Sequence, residues 1–276
     1  MKVLMLTKFS ETDSYVNQFA ERIHEKEPLE VELLHVVSSY SEVPLKDDGS
    51  ITDYCSDIDL SQLYAQQAKA REKSQAYSKS PVIKKVSVLI GQLDKIVAYK
   101  LRNENFDALF MGAHPTKFYE DFFINTTLER MIKSVDIPVL SLKCDRSGDH
   151  TIERIGLFDD FEEDHSKNVR QVRIMADAFG AEVHLYKIMH GSGGADAETY
   201  RKRMEKFAQD NELKRVVLHV LNESGSDESK LTQHLLEDNL QMIVVSELHR
   251  DSLSWIYPKD LKTAVANHVF APLFIY

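Results

Sequence analysis

The residues able to do chemistry are unevenly placed along these 276 residues. Eight of the eleven histidines fall from His150 onward. His184 and His219 lie in apolar, strand-like runs, while His165, His190, His234, His249 and His268 are spread over loops and helices. A zinc site gathers its ligands at tetrahedral distances; these imidazoles read as scattered groups, and no metal centre is predicted. The run Asp159-Asp160-Phe161-Glu162-Glu163-Asp164 sits where an apolar strand gives way to a helix. Carboxylates there are favoured by the helix dipole, and a divalent cation is the alternative use. Nucleophilic catalysis has no visible apparatus. There is no G-x-S-x-G elbow, and Cys55 and Cys144 are isolated thiols with nothing beside them to activate them. No Walker A sequence is present. Lys8 and Lys117 could attract an anion, although solvated lysines are the plainer account.

The elements that must position these residues come in two sets. Val31-Glu-Leu-Leu-His-Val-Val37 matches Val183-His-Leu-Tyr-Lys-Ile-Met189, and Val3-Leu-Met-Leu6 matches Ile155-Gly-Leu-Phe158, both at an offset of 152. Ile137-Pro-Val-Leu-Ser-Leu142 matches Ala271-Pro-Leu-Phe-Ile-Tyr276, and Phe110-Met-Gly112 matches Val244-Val-Ser246, both at an offset of 134. Two constant offsets mean two copies of one unit, the second 18 residues shorter in its middle. The surplus lies after the second strand of copy one, where the polar, acidic segment 38–60 faces only His190-Gly-Ser-Gly-Gly194 in copy two. It reads as a surface loop.

Within each copy, apolar runs that suit strands alternate with stretches of helical spacing, such as Tyr15, Val16, Phe19, Ala20 and Ile23. The order is β-α-β-α-β-α-β-α-β twice over. Copy two is read as strands at Arg154–Phe158, Glu182–Met189, Lys214–Leu221, Gln241–Ser246 and Pro272–Tyr276. Its helices are read at Lys167–Phe179, Ala197–Asp210, Ser229–Glu237 and Leu261–His268. Such alternation implies parallel sheets with helices on both faces. The predicted domains are 1–143 and 152–276, joined by a polar connector.

Composition narrows the function classes. The net charge is −10, with 34 basic against 44 acidic side chains. That argues against sequence-independent nucleic-acid binding, which needs concentrated Lys and Arg. The apolar runs are far shorter than the roughly 20 residues of a membrane span. No leader is visible before the first strand, and a cytoplasmic location is expected.

In such sheets, ligands bind at the carboxyl ends of the strands. There the chain resembles the universal stress protein family in its tandem two-domain form, over nearly its whole length. Nucleotide-binding members of that family carry an Asp at the end of strand one and G-x2-G-x9-G-[ST] from strand four into the last helix. Copy one reads Gly112-x2-Pro115-x9-Asn125-Thr126, with Lys8 at the Asp position. Copy two reads Ser246-x2-His249-x9-Lys259-Asp260, with Asp160 at the Asp position. The spacing is intact in both, but each copy keeps only fragments of the pattern. Pro115 has no N–H to offer a phosphate, and Asp260 would repel one.

The resemblance implies two Rossmann-like domains of the adenine nucleotide alpha hydrolase-like class, each a five-stranded parallel sheet flanked by helices. It implies an ATP or AMP site in copy one built on Gly112, Asn125 and Thr126, and only Asp160 in copy two. It also implies pairing of the last strands, Val139–Leu142 with Leu273–Tyr276, as an internal pseudo-dimer, with a further homodimer or another protein as partner. Ser192-Gly-Gly-Ala-Asp196-Ala197 is similar to the SGGxDS loop of ATP pyrophosphatases, but it follows the wrong strand, and a short connector fits better. The aromatics Phe118, Tyr119, Phe122 and Phe123, and Trp255 and Tyr257 in the matching segment, are read as packing beneath a loop. The expected function is a non-catalytic stress-response or signalling module with degenerate nucleotide sites. The alternatives are a nucleotide-binding switch and a weak nucleotide hydrolase or pyrophosphatase.

Overall fold

The computed structural model describes residues 1–39, 43–52, 59–113, 127–143, 151–161, 166–190, 196–223, 237–246 and 272–276. The chain divides into two compact units, Met1–Cys144 and Asp145–Tyr276. The first holds β1 (Lys2–Leu6), α1 (Glu11–His24), β2 (Glu30–Ser38), α2 (Ser61–Ser74), β3 (Ile83–Gly91), α3 (Leu93–Asn103), β4 (Ala108–Ala113), α4 (Thr127–Ser134) and β5 (Val139–Lys143). The second holds β6 (Arg154–Phe158), α5 (Ser166–Phe179), β7 (Glu182–His190), α6 (Ala197–Asp210), β8 (Val216–Glu223), β9 (Met242–Val245) and β10 (Leu273–Ile275). The predicted helices at Ser229–Glu237 and Leu261–His268 fall almost wholly outside the described residues.

Each unit is a doubly wound α/β fold. Strand order in the first is β3-β2-β1-β4-β5, and in the second β8-β7-β6-β9-β10. Every described pairing between these strands within a unit is parallel. Parallel strands covered on both faces read as continuous apolar runs. Accordingly Val3, Leu4, Met5 and Leu109 in the first unit, and Ile155, Leu157, Met242 and Val244 in the second, have no exposed surface. The predicted face of α1 is the buried one, with Val16, Phe19, Ala20 and Ile23 all in the core.

The repeat extends to fine geometry. Strand β2 shifted by 152 residues gives the bounds of β7. Phe9 and Phe161, also 152 apart, both adopt the left-handed backbone, at φ 56° and 55°. That conformation is rare for bulky residues, so the same turn has been kept at the end of both first strands.

The surplus segment of the first unit differs from the expected surface loop. Its described part, residues 43–52, folds back on itself through a Leu45–Ile51 bridge, and Ser50 bridges Gly91 at the end of β3. Val43 and Ile51 are buried with Val37, Leu60, Leu63 and Ile90. The acidic residues Asp47, Asp48, Asp53, Asp57 and Asp59 masked these apolar anchors in the sequence. Two glycines permit the docking. Gly49 has φ +77°, and a Cβ on Gly91 would lie 2.1 Å from the Gly49 carbonyl oxygen.

One charge is buried deep inside the first unit. Glu32 on β2 has a side chain only 2% exposed. It accepts from Ser87 Oγ at 2.9 Å and from Lys100 Nζ, and Lys85 Nζ lies 3.1 Å away. Glu104 joins through Lys2 at 2.7 Å and Lys85 at 3.5 Å. Burial alone would raise the Glu32 carboxyl, but the hydrogen bonds from Lys100, Ser87 and Lys85 outweigh it and hold it below its ordinary value.

Candidate functional site

In the first unit the strand order reverses between β1 and β4, so their carboxyl ends form the switch point where such sheets bind ligands. Thr7 ends the strand, and its Oγ1 accepts the Phe9 N–H at 2.9 Å, closing the turn. Lys8, at the tip, is exposed. His35 on β2 donates from Nδ1 to the Thr7 carbonyl at 2.7 Å, and its ring lies 4.8 Å from that of Phe9. Burial lowers the His35 pKa against the pull of that carbonyl, so the ring is held neutral near physiological pH.

The first loop already contains an anion. Asp13, in the first turn of α1, is 3% exposed. Its Oδ2 accepts from the Lys8 N–H at 3.0 Å, the Ser10 N–H at 2.7 Å and the Ser10 hydroxyl at 2.9 Å. Free amides at a helix start are the usual host for phosphate, and here a carboxylate of the chain itself uses them. Gly112 faces the same group. A Cβ there would sit 3.0 Å from both Asp13 Oδ1 and Thr12 Cγ2. Close packing of α1 against β4 therefore favours glycine at this position independently of any phosphate. Sequence reading singled out Gly112 but missed Asp13. The signal was an acidic residue three positions after the N-cap Ser10.

In the second unit the same turn is built from different chemistry. Asp159 replaces Thr7, and its Oδ1 accepts the Phe161 N–H at 2.7 Å. Its Oδ2 accepts from the Tyr276 hydroxyl at 2.8 Å. Burial, and then the nearby Asp159 charge and hydrogen bond, push the Tyr276 phenol well above its usual range. Asp160, the family Asp position, does not stand open. Lys187 on β7 donates to it at 2.7 Å, with a lysine side chain only 8% exposed. The Lys187 ammonium also lies 4.8 Å from the centre of the Tyr200 ring, a favourable cation–π placement. Ser246, which takes the Gly112 position, has no exposed surface.

Of the predicted site residues, Gly112 and Asp160 are thus placed, each against a partner of its own unit. Asn125 and Thr126 lie outside the described residues, as do Pro115, Lys117, His249, Lys259, Asp260 and the two aromatic segments. The expectation of scattered imidazoles is corrected for one pair. His184 and His219 meet, with Nδ1 of the first 3.0 Å from Nε2 of the second. They are 35 residues apart, and only the parallel register of β7 and β8 brings them together.

Comparison with known proteins agrees with this architecture. The model of the universal stress protein family matches residues 1–143. No curated protein gives a significant match. Among solved structures, a universal stress protein from Archaeoglobus fulgidus is 16% identical with a TM-score of 0.67, over 99% of this chain and 95% of its own. A candidate universal stress protein from Pseudomonas aeruginosa is 12% identical with a TM-score of 0.59, over 99% and 92%. The cytoplasmic domain of a prokaryotic cation chloride cotransporter is 8% identical with a TM-score of 0.53, over 99% and 94%. At such identities the likeness is one of fold, Rossmann-like in each unit. Among the described residues, no helix is long and apolar enough to cross a membrane.

Proposed function

The chain belongs to the universal stress protein family, and from that premise we propose that it is a non-catalytic stress-response or signalling module whose nucleotide sites have degenerated. It acts in the cytoplasm through contacts with another protein or through an unidentified small ligand. One observation carries this reading: at the end of each first strand, groups that would meet a ligand are engaged within their own unit. Asp160 is held by Lys187, Asp159 by Tyr276, and the amides of Lys8 and Ser10 by Asp13. Releasing any of these costs a charge-assisted hydrogen bond, and nucleotide binding would have to recover that cost.

A second reading, an ATP- or AMP-binding switch in copy one, is favoured by the place of Gly112 at the carboxyl end of β4, beside the switch point. Calorimetry on the full chain with ATP and AMP, with and without magnesium, separates the two. The module reading expects no saturable heat in the micromolar range. Saturable binding that is lost in Thr126→Ala would establish the switch and overturn the module.

A further inference from the structure

The paired histidines of the second unit belong to a larger constellation. Glu182, His184 and Tyr186 alternate along β7, so all three side chains share one face of the sheet. His219 on β8 is opposite Tyr186 in the register, which sets His184 diagonal to it. Asp238 enters just before β9. A donor atom from each of His184, His219 and Asp238 lies within 4.8 Å of the other two. His184 is buried, and the other two are half-buried, with side chains 21% and 26% exposed. An ion could reach them from solvent.

Three features make this more than a chance meeting. First, the rings are already oriented. Phe158, Tyr186 and His219 form a stack, with centroids 4.6 and 4.3 Å apart and planes within 12° of parallel. Second, the distal nitrogen of His184 faces a carboxylate. Nε2 lies 3.1 Å from Glu182 Oε2, which fixes the proton there and leaves the Nδ1 lone pair turned toward His219. A carboxylate on the far side of a histidine is the usual support of a metal ligand. Third, the corresponding place in the first unit holds a cation. His184 corresponds to Glu32 at the offset of 152, and Asp238 to Glu104 at 134. In the first unit the Lys100 ammonium lies against both of those carboxylates.

We propose that His184, His219 and Asp238 form a binding site for a borderline divalent transition-metal ion of the zinc class, completed by solvent. Imidazole and carboxylate donors suit such an ion. Its entry requires one balanced proton shift. His219, which donates from Nε2 to His184 Nδ1, takes its proton on Nδ1 instead, on the side of Asp238, so that both facing nitrogens turn lone pairs to the metal and no proton is lost. Tyr186 keeps hold of Asp238 through its hydroxyl and so steadies the third donor.

The test uses the full chain, stripped with a chelator, and Zn(II) or Co(II) as the probe. Calorimetry should show saturable binding with one ion bound per chain. Co(II) should give the intense visible bands of a four-coordinate site. Zn(II) should raise the melting temperature. All three effects should disappear in His219→Gln, whose more exposed position spares the fold. Glu182→Gln should weaken binding by about tenfold or more while leaving the stoichiometry intact. Absence of saturable binding overturns the proposal. So does binding that persists unchanged in both His219→Gln and His184→Gln, because that would place the ion on other groups.

Discussion

The two units use one backbone and two sets of charges. Thr7 and Asp159 close the same turn onto Phe9 and Phe161, one with a hydroxyl and the other with a carboxylate. One residue on, Lys8 is exposed, whereas Asp160 is tied to Lys187. On the second strands, Glu32 is surrounded by lysines, while His184 at the corresponding place meets another imidazole. The geometry of the fold is thus insensitive to which polar group stands at these points. What these points share is that the buried group has a partner within its own unit. The partners were then free to change, and with them the ligands each unit can take.

The largest effect that would test this comparison is expected at Glu32. Glu32→Ala leaves Lys100, a side chain 11% exposed, without its main anion, and removing one partner of a buried pair is costly. We expect a loss of about 3 kcal/mol in denaturant unfolding, against about 1–2 kcal/mol for His184→Ala in the second unit, where the bonds lost are to another imidazole and to the part-exposed Glu182 carboxylate. The pH dependence should follow the same division. The Glu32 carboxyl is held below its ordinary value of 4.5 in the folded chain, so the unfolded chain takes up its proton first. Its stabilisation is complete above about pH 4.5 and drains away as the pH falls through the folded value. Glu32→Gln should flatten this acid limb in melts recorded between pH 6 and about pH 3. An unchanged acid limb would mean that another carboxylate carries it.

Next in size is the docked segment that only the first unit carries. A methyl group on Gly91 would meet the Gly49 carbonyl oxygen and the Ser50 backbone, neither of which can rotate away. Gly91→Ala should cost about 2 kcal/mol and open residues 43–52 to proteolysis. A variant that keeps both its stability and its protease resistance would show that the segment is an appendage rather than part of the core.

Much of this was legible in the sequence, and the reasons are physical. Constant offsets survive because strands, helices and turns must match in length to rebuild the same sheet, so the repeat and the alternation of strands and helices along the chain could be read directly. The surplus segment could be located but not its docking, since Val43 and Ile51 are two apolar residues in a polar stretch and carry no period. Asp160 was recognised at its position, but not its pairing with Lys187, which depends on the register of β6 against β7. The His184–His219 pair was unreadable for the same reason. Its 35-residue separation has no local signature, and the diagonal contact exists only once β7 and β8 are aligned.

The smallest predicted effects give the sharpest contrast between the two turns. Lys187 is nearly buried, so it depends on Asp160 for a counter-charge, although the Asp160 side chain is 36% exposed and water will share that role. Asp160→Asn should therefore cost only about 1 kcal/mol, less than a fully buried pair. Lys8→Ala, at the matching point of the first unit, should change stability by less than about 0.5 kcal/mol, because an exposed lysine loses little when removed. Differential scanning of the two variants side by side would measure the gap. Equal losses would mean that Lys8 has a partner of its own, and the first turn would then be tied down as firmly as the second. A near-zero change at Lys8 alone would leave it as the charge most free to meet an incoming anion. Of the two turns, the first would then be the one with capacity left for an anion, beside amides that Asp13 already occupies.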